Sequence, residues 1–269
     1  VLRGGTGQHS TGIDAWISAA GTLVTDNDIF AGPSTDGRSH GIEVGSTMTI
    51  DGNRINADPA RTGFCTRPTG FCAGIASESS TTTITNNVVF GPGGPRSAAV
   101  LLGEFEVPAG AVIVNGNLLD GGGSGPGSIP TDSAAIVVTI GTCTTCGFVG
   151  EVGRIRNNIL LGGDNTNRYG VLEAPSAGRA MRAQALENNI FFFATATGRT
   201  DVLYRQTATG GGTTDLTTAA MLNALTLPAA AANLTVDPLV DAATWHLMTG
   251  SPAIDAGTPN PEGGIIVRD

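Results

Sequence analysis

The chain has 269 residues, of which 40 are glycine, 14 are proline and only 14% are charged, a turn-rich composition with little material for long helices. Its 23 acidic and 14 basic residues leave a net charge of −9, which argues against a surface built for nucleic acid or anionic lipid. All the basic residues are arginine, and no run of about 18 or more apolar residues is present to span a bilayer.

The opening residues, Val1-Leu2-Arg3-Gly4-Gly5, lack the basic-then-apolar pattern of a secretion signal and read as part of a repeat, so a longer parent chain with other domains is expected. A short pattern then recurs: a polar stop containing Asn, a brief apolar run and often Gly. It appears in Thr25-Asp26-Asn27-Asp28-Ile29-Phe30, Ile50-Asp51-Gly52-Asn53-Arg54-Ile55 and Ile84-Thr85-Asn86-Asn87-Val88-Val89-Phe90-Gly91. It returns in Val114-Asn115-Gly116-Asn117-Leu118-Leu119, Ile155-Arg156-Asn157-Asn158-Ile159-Leu160 and Leu186-Glu187-Asn188-Asn189-Ile190-Phe191. Asn27, Asn53, Asn87, Asn117, Asn158 and Asn189 align at intervals of 26, 34, 30, 41 and 31 residues, as expected for coils with loops of different length.

Upstream of each stop lies a small residue followed by an apolar, usually β-branched one, as in Gly41-Ile42, Gly74-Ile75, Ala99-Val100 and Gly170-Val171. Between that signal and the stop runs a second strand, such as Thr47-Met48-Thr49-Ile50, with the alternation of side chains pointing in and out. Three short strands per coil follow, with 42–44, 47–50 and 54–56 forming the shortest full coil. About seven or eight such coils, stacked about 4.8 Å apart, predict one elongated all-β domain over 1–269, a rod roughly 30–40 Å long. Residues 1–200 hold the regular coils, and 201–269 an irregular end with its best helix candidate at 217–225.

Loops 57–73 and 120–133 stand out after the third strand. The cysteines pair locally by sequence, Cys65 with Cys72 and Cys143 with Cys146, each among Thr, Gly or Pro. Disulfides in an extracellular protein are the first reading, with structural zinc and redox chemistry as rivals. The Gly-rich run 121–127 has neither the Lys-Ser/Thr nor the following helix of a phosphate cradle.

This pattern resembles the right-handed parallel β-helix family that includes pectate lyases, and the resemblance covers nearly the whole chain. It implies a stacked Asn ladder at the turn between second and third strands, where Asn87, Asn158 and Asn189 fall. Asn tolerates left-handed backbone, and its amide can bond to equivalent groups in adjacent coils. The ending, with Asp237-Pro238-Leu239 and Ser251-Pro252-Ala253-Ile254-Asp255-Ala256-Gly257, resembles the C-terminal segment of secreted bacterial β-helix proteins. Related galacturonan hydrolases carry Asn-x-Asp, Asp-Asp, Gly-His-Gly and Arg-x-Lys. This chain has no Asp-Asp or Arg-x-Lys and only Ser39-His40-Gly41 for the histidine motif, which disfavours that chemistry.

Two clusters are candidates for chemistry. Asp14 is expected to stack on Glu43, with Arg38 and His40 just before the strand, as a calcium or acid–base site or simply a solvated salt bridge. Arg168, Tyr169, Glu173, Tyr204 and Arg205 gather around later first strands, as a sugar or uronate site or as packing at the core edge. Asp164-Asn165-Thr166-Asn167 is a weaker calcium candidate beside an ordinary turn reading. The outward positions Ala76, Leu101 and Val137 form an apolar strip that needs cover, expected from the 103–110 turn and the Cys143–Cys146 region. The resulting expectation is an extracellular or cell-surface scaffold or binding module for polysaccharide. Its rivals are a polysaccharide lyase or glycoside hydrolase and a structural segment of a larger surface protein.

Overall fold

The computed structural model describes residues 1–16, 21–34, 38–57, 70–78, 81–103, 110–123, 131–139, 151–174, 181–208 and 212–257. The chain opens with β1 (Leu2–Arg3) and then runs in circuits, the first through β2 (Ser10–Ala15), β3 (Thr22–Thr25) and β4 (Asp28–Phe30). The second circuit holds β5 (Ser39–Val44), β6 (Met48–Asp51) and β7 (Arg54–Ile55), and the third β8 (Cys72–Ser77), β9 (Thr83–Thr85) and β10 (Val88–Phe90). Next come β11 (Arg96–Leu102), β12 (Gly110–Asn115) and β13 (Leu118–Asp120), then β14 (Asp132–Thr139), β15 (Val152–Arg156) and β16 (Ile159–Leu161). The last regular circuit holds β17 (Asn167–Ala174), β18 (Ala185–Glu187) and β19 (Ile190–Phe192). The chain then passes through β20 (Thr200–Thr207), β21 (Thr213–Leu216), α1 (Ala219–Asn223) and β22 (Ala229–Ala231).

Each circuit contributes one strand to each of three sheets, ordered β2-β5-β8-β11-β14-β17-β20-β21, β3-β6-β9-β12-β15-β18-β22 and β1-β4-β7-β10-β13-β16-β19. Within each sheet the neighbours are parallel, except for the antiparallel return of β21 on β20. The layout is compatible with a parallel β-helix. The first strands are longer than the sequence implied: β5 starts at Ser39, so His40 lies inside the strand and not before it. The expected helix at 217–225 is a single short turn, capped by Thr218 Oγ1 accepting from the Met221 N–H at 3.2 Å.

Alternation explains the core. Ile42, Ile75, Val100, Ile136 and Val171 are paired in register across the first sheet and point inward with the apolar residues of the other two sheets. Burying each such side chain contributes about 1.5–3 kcal/mol. The small residue before each inward position also has a reason. A Cβ at Gly74 would strike Val89 and the Phe90 carbonyl, and one at Gly170 would strike the Phe191 ring.

Two further apolar clusters lie on outer faces. On the first sheet, Ala76, Leu101, Val137 and Leu172 are buried together with Phe71, Tyr169 and Val202. The segments expected to cover that strip, 104–109 and 140–150, lie outside the described residues. On the third sheet, Phe90, Leu118, Ile159 and Ile190 are packed by Val240, Trp245, Leu247 and Ala253 of the C-terminal segment. That segment folds back along the stack: Leu234 bridges Ile190, and the Trp245 ring sits 4.5 Å from Phe90.

Candidate functional site

The Asn residues form a continuous, directional ladder. The backbone N–H and the Nδ2 of each Asn donate to the Oδ1 of the next, at 3.0 and 3.2 Å from Asn27 to Asn53 and at 2.9 and 3.1 Å from Asn53 to Asn87. The same pair of bonds links Asn87 to Asn117, Asn117 to Asn158 and Asn158 to Asn189. Each Nδ2 from Asn53 onward also reaches a carbonyl in the preceding circuit, as from Asn158 to Val114 at 2.9 Å.

One detail differs from the sequence reading. Left-handed backbone belongs to the residue before each ladder Asn, namely Asp26, Gly52, Asn86, Gly116, Asn157 and Asn188, while the ladder Asn supplies only hydrogen bonds. The ladder also extends beyond the six residues expected. Asn189 donates to Asn233, and the N–H and Nδ2 of Asn233 donate to Asn223 Oδ1 at 3.0 and 2.9 Å. The signal for Asn233 was present as Ala232-Asn233-Leu234, a left-handed residue, a rung and an apolar residue.

The first candidate cluster is partly assembled. Asp14 is exposed and level with Glu43 on the neighbouring strand. Glu43 is buried, with Oε1 at 3.3 Å from Arg38 Nη1 and Oε2 accepting from Thr11 Oγ1 at 3.5 Å. His40 is fully buried, and its Nδ1 accepts the Ala73 N–H at 3.1 Å, so that nitrogen is committed to holding the next strand.

The second cluster separates into three. Arg168 is buried near the start of β17 in the first sheet, where it grips both oxygens of Asp201 on β20 at 2.6 and 2.8 Å and donates to the Ala194 carbonyl. Glu173 and Tyr204 point inward, away from any sugar, because Glu173 is in register with Val138 and Tyr204 with Val171. Glu173 accepts from the Tyr204 hydroxyl and from the Thr207 N–H at 2.7 Å. Burial pushes its carboxyl up to about 7, against the opposing pull of those two donors and of Arg182. Burial, followed by the nearby Glu173 charge, raises the Tyr204 phenol.

Tyr169 and Arg205 do come together on the outer face. The Arg205 guanidinium lies 4.8 Å from the Tyr169 ring centroid, and its Nε and Nη2 hold both oxygens of Asp215 at 2.6 and 2.7 Å. That bond lowers the Asp215 pKa and raises that of Arg205, while burial raises the Tyr169 phenol. Asp132 and Arg96 are also close enough to influence Tyr169. Asn167 donates to Asp132 Oδ1 at 3.0 Å, and Arg96 sits 3.4 Å from Asp132 and 4.4 Å over the Phe71 ring. Sequence reasoning missed Arg96, Asp132 and Asp215. The first two open successive first strands and pair in register, a legible signal. Asp215 arrives on an antiparallel return that the repeat does not announce.

Among the described residues, no three or more His, Cys, Asp or Glu side chains gather as a candidate metal site. In the 164–167 turn, Asp164 accepts from Arg199 at 2.6 Å and Asn165 Nδ2 donates to the carbonyls of Gly94, Pro95 and Asp132. Cys72 is buried in β8 and is not a free thiol, while Cys65, Cys143 and Cys146 lie outside the described residues. Comparison with protein-family models, with curated proteins and with solved structures gave no match.

Proposed function

We infer that the chain is a right-handed parallel β-helix of the pectate-lyase-like kind, secreted or held at a bacterial cell surface, that serves as a scaffold and binding module for polysaccharide. The observation that carries the binding reading is the half-exposed group of Arg96, Asp132, Arg205 and Asp215 around Tyr169 on the outer face of the first sheet. Arg205 commits Nε and Nη2 to Asp215, and among the described residues Nη1 makes no hydrogen bond. Sugar hydroxyls and carboxylates pair well with a guanidinium held in this way.

Binding is favoured over catalysis by where the perturbed groups lie. Glu173, whose carboxyl is pushed towards neutrality, is only 1% exposed and faces the core, out of reach of a polymer. A glycan array read with the native chain and with Arg205→Ala tests the reading. Binding to one class of polysaccharide, weakened about tenfold or more by Arg205→Ala, is expected from the loss of a charge-assisted contact. A flat array would remove it. Unsaturated product from a uronate polymer, assayed with and without calcium, would replace it by a lyase.

A further inference from the structure

Glu173 breaks the apolar column in which it stands. It is level with Val138 in β14, which is level in turn with Leu102 in β11, and both of those side chains are buried in the core. A carboxyl therefore points inward where the repeat puts a hydrocarbon, and it is 1% exposed. Its hydrogen-bond donors, the Tyr204 hydroxyl and the Thr207 N–H, are both uncharged. Arg182, just before β18, acts on it by charge alone, without an ion pair among the described residues. A buried charge held in this way is costly, and the carboxyl is kept closer to its neutral form. Tyr204 and Arg182 are the titratable groups that face it, and burial keeps the Tyr204 phenol neutral. The other elements packed here turn Val152, Leu186, Leu216 and Leu222 into the core, all apolar.

The same residue carries part of a strand junction. Register pairing of β17 with β20 runs from Asn167 opposite Thr200 to Leu172 opposite Arg205. Beyond Arg205 the end of β20 is held through Glu173: the Thr207 N–H donates to Oε2 at 2.7 Å, and Thr207 Oγ1 donates to the Glu173 carbonyl at 2.8 Å. β21 returns from that end, with Thr213 opposite Thr207 and Asp215 opposite Arg205.

We propose that Glu173 is a proton-controlled latch: as the neutral acid it keeps the β20–β21 hairpin seated on β17, and when it ionises the hairpin opens locally and water reaches the carboxylate. Because the carboxyl binds its proton more tightly closed than open, the closed state is held fully below about pH 4.5 and loosens as pH rises towards 7. Arg205 and Asp215 ride on this hairpin, so their pairing on the outer face is kept in place by the latch. The latch does not depend on what that pair binds.

Hydrogen exchange of the intact chain, read as protection relative to the intrinsic rate at pH 5.5 and pH 8, tests the latch. Protection at residues 203–207 and 213–216 is expected to fall about tenfold or more between the two, the scale set by a carboxyl that titrates at about 7 closed and 4.5 open. At pH 8 those amides are expected to exchange faster than the amides of β8 and β11, which need wider unfolding. In Glu173→Gln, which cannot ionise, the fall is expected to vanish while β8 and β11 stay protected. In Tyr204→Phe, which removes a donor to the ionised form, the fall is expected to move to higher pH. Equal protection at both pH values in the native chain would overturn the proposal, as would a fall that persists in Glu173→Gln. Hairpin amides as slow as those of β8 and β11 at pH 8 would also overturn it, since the opening would then not be local. If Glu173→Gln loses the protection of β8 and β11 as well, Tyr204→Phe decides, and a fall at an unchanged pH rejects the latch.

Discussion

The C-terminal end of the stack departs from the repeat and the middle keeps it, although both belong to the same three sheets. At the C-terminal end, β21 turns back antiparallel on β20, α1 buries Leu222, and Asn223 supplies the acceptor that ends the ladder. Just inside it, Glu173 ties β17 to β20 through the Tyr204 hydroxyl and the Thr207 N–H. In the middle the same ladder runs unbroken, with Asn87, Asn117 and Asn158 each accepting from the rung before and donating to the rung after. A repeat that stacks by parallel pairing and a one-way ladder does not end by itself, so its C-terminal end needs its own chemistry.

The largest effect is expected in the middle of the stack, where neither end helps. Asn158→Ala removes an acceptor for the Asn117 N–H and Nδ2 and donors to Val114, Arg156 and Asn189, leaving buried groups unpaired. At about 1–3 kcal/mol for each unsatisfied group, a loss of about 4 kcal/mol is expected by denaturant unfolding. Next comes the lock inside the C-terminal end. Glu173 titrates from 4.5 when unfolded to about 7 when folded, so the native state holds its proton more tightly. Stability from this group is therefore lost as pH rises from 4.5 towards 7, by roughly 3 kcal/mol in all, and does not change further above that. Glu173→Gln, which copies the protonated form, is expected to flatten that part of the curve when unfolding is measured at pH 5 and pH 8.

The smaller effects lie outside the middle. Asn223→Ala leaves the Asn233 N–H and Nδ2 without an acceptor and is expected to cost about 2 kcal/mol by thermal or denaturant unfolding. Asn27→Ala removes donors to Thr25 and Asn53 from a half-buried rung whose oxygen accepts nothing among the described residues, and less than about 1 kcal/mol is expected. A loss at Asn223 as large as that at Asn158 would erase the contrast between the C-terminal end and the middle.

Much of the stacking was legible because it rests on local signals. The small residue and its apolar neighbour, the alternating second strand and the Asn stop recur where β5, β6 and β7 or β17, β18 and β19 lie. The ladder was legible at six rungs and missed at Asn233 and Asn223, since the first follows an irregular insertion and the second sits on a helix outside the repeat. The site was harder to read. Placing Glu173 and Tyr204 with Tyr169 and Arg205 used closeness in sequence, but alternation turns Glu173 and Tyr204 inward and leaves the other two outside. Asp215 reaches Arg205 through an antiparallel return, and the Trp245 strap reaches Phe90 across the circuits; neither follows from periodicity.

The central claim is a one-way Asn ladder that runs unbroken from Asn27 and is closed at Asn223. Native-state hydrogen exchange of the rung backbone amides, resolved residue by residue, tests it most directly. Slow exchange at Asn53, Asn87, Asn117, Asn158 and Asn189, sustained to Asn233, is the predicted result. Protection that falls away towards Asn233 would contradict it.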